Sequence, residues 1–143
     1  MERTLKRGVG MESVQAHEWA GEGYRPLVFS GDWQVALLNW EPLLGREGIG
    51  EIERHIHTDE VFVLWRGRGV LFVATEQGIV TVEMQPGVIY NVLRGTWHGL
   101  LATRDASWII IEARDTHLRD TEVRQMTQTE LEQLRSQLPE WLD

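Results

Sequence analysis

Between residues 26 and 113 the chain is cut into short runs rich in β-branched and aromatic residues: PLVFS, WQVALLNW, EVFVLWR, GVLFVAT, GIVTVEM, VIYNV and SWIIIEA. Many short strands at near-regular spacing, punctuated by glycine-bearing turns, predict an all-β sandwich or barrel. In IVTVEM, Thr81 and Glu83 alternate with Val80, Val82 and Met84, the period of a strand wet on one face. VFVLW is apolar on both faces, which predicts a central strand or one covered by another segment or subunit. Gly78, between two apolar runs, suits a hairpin loop because glycine takes positive φ at little cost.

A chain of 143 residues is the size of one domain with one core. The reading divides it into an N-terminal extension, 1–25, a barrel, 26–113, and a polar tail, 114–143. Within the tail a helix is expected over about 129–138: Thr129 with Glu132 offers a capping box, Leu131, Leu134 and Leu138 recur at helical spacing, and Pro139 ends it. The 22 acidic residues against 14 basic ones give a formal charge of -8, which opposes a phosphate backbone and argues against nucleic acid as a partner. Cysteine is absent, so metal binding falls to histidine and carboxylate. The first residues lack the apolar run of a signal peptide. WIII at 108–111 is far short of the ~20 apolar residues that span a bilayer. The expectation is a soluble, cytoplasmic protein with no membrane partner.

Five histidines are present, and two of them, His55 and His57, stand one residue apart just before an apolar run. On a strand, that spacing turns both imidazoles to one face and toward one point. A divalent ion is a natural target, with Asp59 and Glu60 close behind. An isolated H-x-H is equally compatible with a solvated strand edge. His98 lies about forty residues further on, in PGVIYNVLRGTWHGL, and closed sheets bring such distant segments together.

These residues resemble the two motifs of the cupin family. Gly50, His55, His57, Glu60 and Gly67 are similar to the first, and Gly87, Leu93, Gly95 and His98 to the second, with Leu93 where the family has proline and Ala102 where it has asparagine. Only Thr58 and Asp59 separate His57 from Glu60, fewer residues than the family usually has. Strict alternation from His57 would aim Glu60 outward, so Glu60 serves as a ligand only if the chain turns near Thr58, and Asp59 is the fallback. The resemblance implies a double-stranded β-helix, the jelly-roll cupin barrel, with a short C-terminal α-helix. It also implies a mononuclear divalent transition metal, Fe, Mn, Ni or Zn, held by His55, His57, Glu60 and His98 inside the barrel.

Around such an ion Trp65, Tyr90 and Trp97 are candidate walls for a substrate, although core packing is the default role of aromatic side chains. Arg54 and Arg94 flank the motifs and are candidates to clamp a carboxylate. His17 and His117 fall outside both motifs and receive no role. The expected function is a metal-dependent enzyme acting on a small polar organic molecule by isomerase, lyase or dioxygenase type chemistry. The alternative is a non-enzymatic, metal-dependent cupin that binds or senses a small molecule such as a sugar or organic acid. The two-sided apolar strand and the leucine-faced helix also predict a homodimer.

Overall fold

Each of the apolar runs becomes a strand, and the polar stretches between them supply more. The computed structural model describes residues 2–4 and 13–143, so residue 1 and residues 5–12 of the expected N-terminal extension lie outside the described residues. The strands in chain order are β1 (Glu2–Thr4), β2 (His17–Trp19), β3 (Gly23–Ser30), β4 (Trp33–Asn39), β5 (Glu51–Arg54) and β6 (Glu60–Arg66). They continue with β7 (Gly69–Thr75), β8 (Gly78–Glu83), β9 (Ile89–Val92), β10 (Trp97–Ala102) and β11 (Ser107–Ala113). Helix α1 (Thr116–Arg119), strand β12 (Glu122–Gln125) and helix α2 (Gln128–Gln137) complete the chain. Two short 3-10 turns, Pro42–Leu44 and Arg46–Gly48, lie between β4 and β5.

Two five-stranded antiparallel sheets face each other, in the orders β12-β5-β10-β7-β8 and β3-β4-β11-β6-β9. From β5 onward the chain repeatedly crosses between them: β5 and β6 are in different sheets, as are β6 and β7, β8 and β9, β9 and β10, and β10 and β11. This is a jelly roll, an architecture that closes an antiparallel protein with few free edges. Sheet pairing extends beyond residue 113, because β12 adds an edge to β5. Gly67, in the turn between β6 and β7, has φ 75°, and a Cβ there would sit 2.5 Å from the Ala106 Cα. The turn therefore excludes larger residues for reasons of both torsion and space.

The inner faces of the two sheets share one apolar core that includes Leu38, Phe62, Leu64, Leu100, Trp108 and Ile110. A second cluster lies outside the first sheet, where Ile52, Phe72, Ile79 and Leu101 are covered by Leu134 of α2 with Met126 and Leu142. Among the described residues no such helix lies over the outer face of the other sheet. Its β6 carries half-buried Val61 and Val63, and Ile89 on the neighbouring strand is 70% exposed.

The expected C-terminal helix forms, but it starts at a different threonine. Thr127 Oγ1 accepts from the Glu130 N–H at 3.1 Å, and Glu130 returns the bond to the Thr127 N–H at 2.9 Å. Both Thr127 and Thr129 head a T-x-x-E pattern. The first one is used because Glu130 is also gripped by the Arg124 guanidinium at 2.8 and 2.9 Å.

Candidate metal centre

Three central strands carry an ionisable residue at one end of the barrel and apolar residues behind it. On β6 the inward series is Glu60, Phe62, Leu64; on β11 it is Glu112, Ile110, Trp108; on β10 it is His98, Leu100, Ala102. Glu60 and Glu112 are direct cross-strand partners. His55 arrives at the same end from the loop after β5, and Glu53 from β5 itself, where it pairs with His98.

His55, Glu60 and His98 are all buried, and both imidazoles meet one carboxylate oxygen. His55 Nε2 and His98 Nε2 each lie 3.0 Å from Glu60 Oε1. Glu53 Oε1 stands 4.0 Å from His55 Nε2 and 3.9 Å from His98 Nε2. One ligand atom from each of Glu53, His55, Glu60 and His98 lies within 4.8 Å of the other three, which makes a cluster of potential metal ligands. On the far side of each ring, Nδ1 donates to a backbone carbonyl, His55 to Asp120 at 2.7 Å and His98 to Thr96 at 2.9 Å. A carbonyl can only accept, so the proton sits on Nδ1 and the Nε2 atoms face the cluster. Imidazole nitrogens and carboxylates suit a first-row divalent ion, and ligand bonds of about 2.1 Å allow opposed donors to stand about 4 Å apart. The residues fit such an ion.

The electrostatics of the ion-free chain follow from mutual pairing. Burial pushes the His55 pKa down, but the hydrogen bond and charge of Glu60 outweigh it and raise the value to about 9. His98 is raised by the same contest. Burial pushes Glu60 up, and its bonds to the two imidazoles win and hold it well below the usual carboxylate range. Glu53 is raised, first by burial and then by the charge of Glu60. Glu112 is pushed up to about 8 by burial and by the charge of Glu60.

His57 does not join the cluster. Strand β5 ends at Arg54, and residues 55–59 form a bend, so the alternation that would align 55 with 57 is lost. The His57 side chain is 79% exposed and pairs with Asp120 Oδ1 at 3.1 Å. The two-residue periodicity instead runs backward, from His55 to Glu53. The same bend turns Glu60 inward. Asp59 points away and ties the two motifs together, accepting from the Arg94 N–H at 2.8 Å and from Asn91 Nδ2 at 3.1 Å.

A cavity of about 510 Å³ opens beside the cluster, within the common range of small-molecule sites. None of Trp65, Tyr90, Trp97, Arg54 and Arg94 lines it among the described residues. Trp65 is half exposed beneath the Arg66 guanidinium. Tyr90 packs on the inner core and accepts from the Gln85 N–H at 2.7 Å. Trp97 is stacked between Arg54 and Arg124, and Arg54 is paired with Glu122 at 2.6 Å. Arg94 contributes its backbone to Asp59. These residues fall on the outer side of the sheets or in the packed core, positions that strand parity alone did not separate from the cavity.

The sequence reading missed a polar wall of the cavity. Tyr24 donates a short hydrogen bond to Glu112, and Gln34 Nε2 donates to Glu112 at 3.1 Å and to the Tyr24 hydroxyl at 2.8 Å. His117 Nδ1 lies 3.0 Å from Gln34 Nε2 and its ring leans on Tyr24. The available signal was Glu112, the single acid in the otherwise apolar SWIIIEA.

No protein-family model matches the chain, and no curated protein matches it. Solved structures do. A cupin-2 domain containing protein from Shewanella frigidimarina is 26% identical, with 67% of this chain and 85% of that one covered at a TM-score of 0.48. KdgF from Halomonas sp. is 17% identical, with 66% and 82% covered and a TM-score of 0.49. A cupin superfamily protein from Desulfitobacterium hafniense is 15% identical, with 67% and 83% covered and a TM-score of 0.50, a likeness that bears on architecture. With its two crossed antiparallel sheets and that structural match, the chain folds as a small cupin domain.

Proposed function

We propose that this protein is a metal-dependent enzyme acting on a small polar organic molecule, with one divalent transition ion held by Glu53, His55, Glu60 and His98. The observation that carries the reading is the orientation of the two imidazoles. Each has its Nδ1 proton fixed on a backbone carbonyl, and each presents Nε2 to the same buried carboxylate oxygen. Fixing the outer nitrogen in this way is the usual support for a ligating histidine. An ion of this kind, when bound, polarises a carbonyl or enolate oxygen or, if iron, activates dioxygen, the basis of isomerase, lyase or dioxygenase type chemistry.

The remaining work falls to the chain. Leu38, Leu44 and Ile110 give the space next to the cluster an apolar wall. Glu112, aligned by Tyr24 and Gln34, offers a polar contact opposite a bound molecule. Elemental analysis of the freshly purified protein, with a turnover screen over small carbonyl and phenolic compounds, tests the proposal. Stoichiometric Fe, Mn, Ni or Zn with turnover is the expected result. A retained ligand without turnover would make the protein a sensing cupin, and an empty site that gains no thermal stability from any divalent ion would remove the metal altogether.

A second copy of the chain is proposed to cover the outer face of the β3-β4-β11-β6-β9 sheet. Val61, Val63 and Ile111 lie there with no helix over them among the described residues, and sedimentation should return the mass of a dimer. No described helix is long and apolar enough to cross a membrane.

A further inference from the structure

His117 belongs to neither histidine motif, yet the fold builds a seat for it. Gln34, Glu112 and Glu60 stand in one row across β4, β11 and β6, because Glu112 pairs with Gln34 on one side and with Glu60 on the other. Neighbouring strands lie about 4.8 Å apart, so along this row Gln34 is about 10 Å of backbone from Glu60. After β11 the chain turns at Asp115, whose φ of 62° is the one positive value at a non-glycine among the described residues. That left-handed conformation is unfavourable for a residue with a Cβ. Here it leads into α1, from which His117 meets the fully buried Gln34 and leans on Tyr24.

The Gln34 amide decides which ring nitrogen of His117 carries the proton. Its Oε1 accepts from the Asp115 N–H at 2.9 Å, and a backbone N–H can only donate, so the amide has one orientation. Its Nε2 therefore faces His117 Nδ1, at 3.0 Å. Two N–H groups do not point at each other, so Nδ1 accepts and the ring proton is on Nε2. His55 and His98 have the opposite arrangement, with Nδ1 donating and a bare Nε2 turned to the cluster. Among the described residues no hydrogen-bond partner meets His117 Nε2, and this nitrogen is not sealed in protein, since Thr58 Oγ1 is the one buried side-chain polar atom left unpartnered. The space that His117 lines is the same cavity that opens beside the cluster.

We infer that His117 is a substrate-binding residue: its Nε2–H donates to an oxygen at one end of the molecule in the cavity, while the other end of that molecule carries the oxygen directed to the cluster. Gln34 is the positioning residue that keeps His117 a donor. The substrate class is thereby narrowed to small molecules with an oxygen function at each end, such as a diketone or a hydroxyketone. The inference rests on the proposed metal centre for the first of these oxygens only. The tautomer of His117 and its open donor belong to the chain without an ion.

The test combines long-range proton–nitrogen spectra of the histidine rings with titration of cyclohexane-1,4-dione and of cyclohexanone, in zinc-loaded and in EDTA-treated protein. His117 is expected to carry its proton on Nε2, and the signal of that nitrogen is expected to shift when either ketone is added to the EDTA-treated protein. In the zinc-loaded protein the dione can engage the ion and His117 together. It is expected to bind at least about tenfold more tightly than cyclohexanone, against the roughly twofold preference that two equivalent carbonyls give by statistics alone. His117→Phe should reduce the preference to about twofold, and His117→Gln, whose amide can donate from a similar position, should restore part of it, each checked for an unchanged melting profile. A ring proton on Nδ1, a His117 signal that responds to neither ketone, or a dione preference unchanged in His117→Phe would overturn the inference. Failure of zinc to bind would sink the metal centre alone, and the spectra of the EDTA-treated protein would then decide the role of His117.

Discussion

The two ends of the barrel interior are built on the same strands and yet serve opposite ends. At one end Leu64, Trp108, Ala102 and Ala106 are buried against one another, and Trp108 keeps its indole N–H on Met84 Sδ at 3.3 Å. At the other, two residue pairs further along β6 and β11, the same inner row presents Glu60 and Glu112 to an open cavity. The difference teaches that the dry end secures the strands and thereby fixes where the polar residues must stand. Their close placement is imposed by register, because carboxylates left to themselves would separate.

Breaking the dry end should have the largest effect on stability. Trp108→Ala removes a fully buried indole and is expected to cost ~3–5 kcal/mol in chemical denaturation, with metal binding lost only as unfolding sets in. Breaking the polar end should act on the ion instead. His98→Ala or Glu60→Gln is expected to abolish stoichiometric metal retention in elemental analysis, and with it the stabilisation a saturating ion gives, about 2.7 kcal/mol at a hundredfold excess over its Kd. Retention of the ion by both variants would dissolve the contrast between the two ends.

Asp120 sharpens the comparison, because it holds the polar end from outside. Its carbonyl accepts from His55 Nδ1, and its carboxylate accepts from the Ile56 and His57 N–H groups at 2.9 Å each. Asp120→Ala is expected to weaken metal affinity roughly 10–100-fold, as loss of an outer-shell support does elsewhere, while the melting of the ion-free chain shifts little. The smallest effect belongs to His57→Ala, which should leave metal retention intact.

The ion-free protein should also report the polar end through pH. His55, raised to about 9 from an ordinary 6.5, and Glu112, raised to about 8 from an ordinary 4.5, bind protons more tightly when folded than when unfolded. Their contribution is full below the unfolded values and is lost as pH rises toward the folded ones, from about pH 4.5 to 8 for Glu112 and from about 6.5 to 9 for His55, so thermal melts of EDTA-treated protein should fall as pH rises to about 9. Glu60 has the opposite sign, its contribution present above the ordinary carboxylate value and lost in acid. A flat profile on the alkaline side would mean that the imidazoles are not paired as described.

How far the sequence could be read depended on where strand periodicity applies. It holds inside β6 and β11, and the all-β jelly roll was legible from those runs together with the two histidine motifs; in β8 the expected faces are reversed, with Val80 and Val82 exposed and Ile79 buried beneath α2. It fails at residues 55–59, where a bend replaces the strand, which is why His57 fell on the wrong side and Glu53, two residues before His55, was passed over. The turn near Thr58 that Glu60 required is present, but nothing in the residues themselves announces it. Glu112, Tyr24 and His117 come together only through pairing of β3, β4 and β11 and the docking of α1, contacts between segments far apart in the chain. The strand β12 was hidden inside a polar tail because an edge strand needs little apolar surface.

The dependence of the histidine loop on Asp120 bears on the order in which the molecule is made. His55 takes its partner from 65 positions downstream, so during synthesis the loop lacks this anchor until Asp120 has left the ribosome. The chemistry-bearing end would then set after the inner strands, and a chain cut after β11 would lose the means to aim its imidazoles together with the β12 edge and the cover of α2.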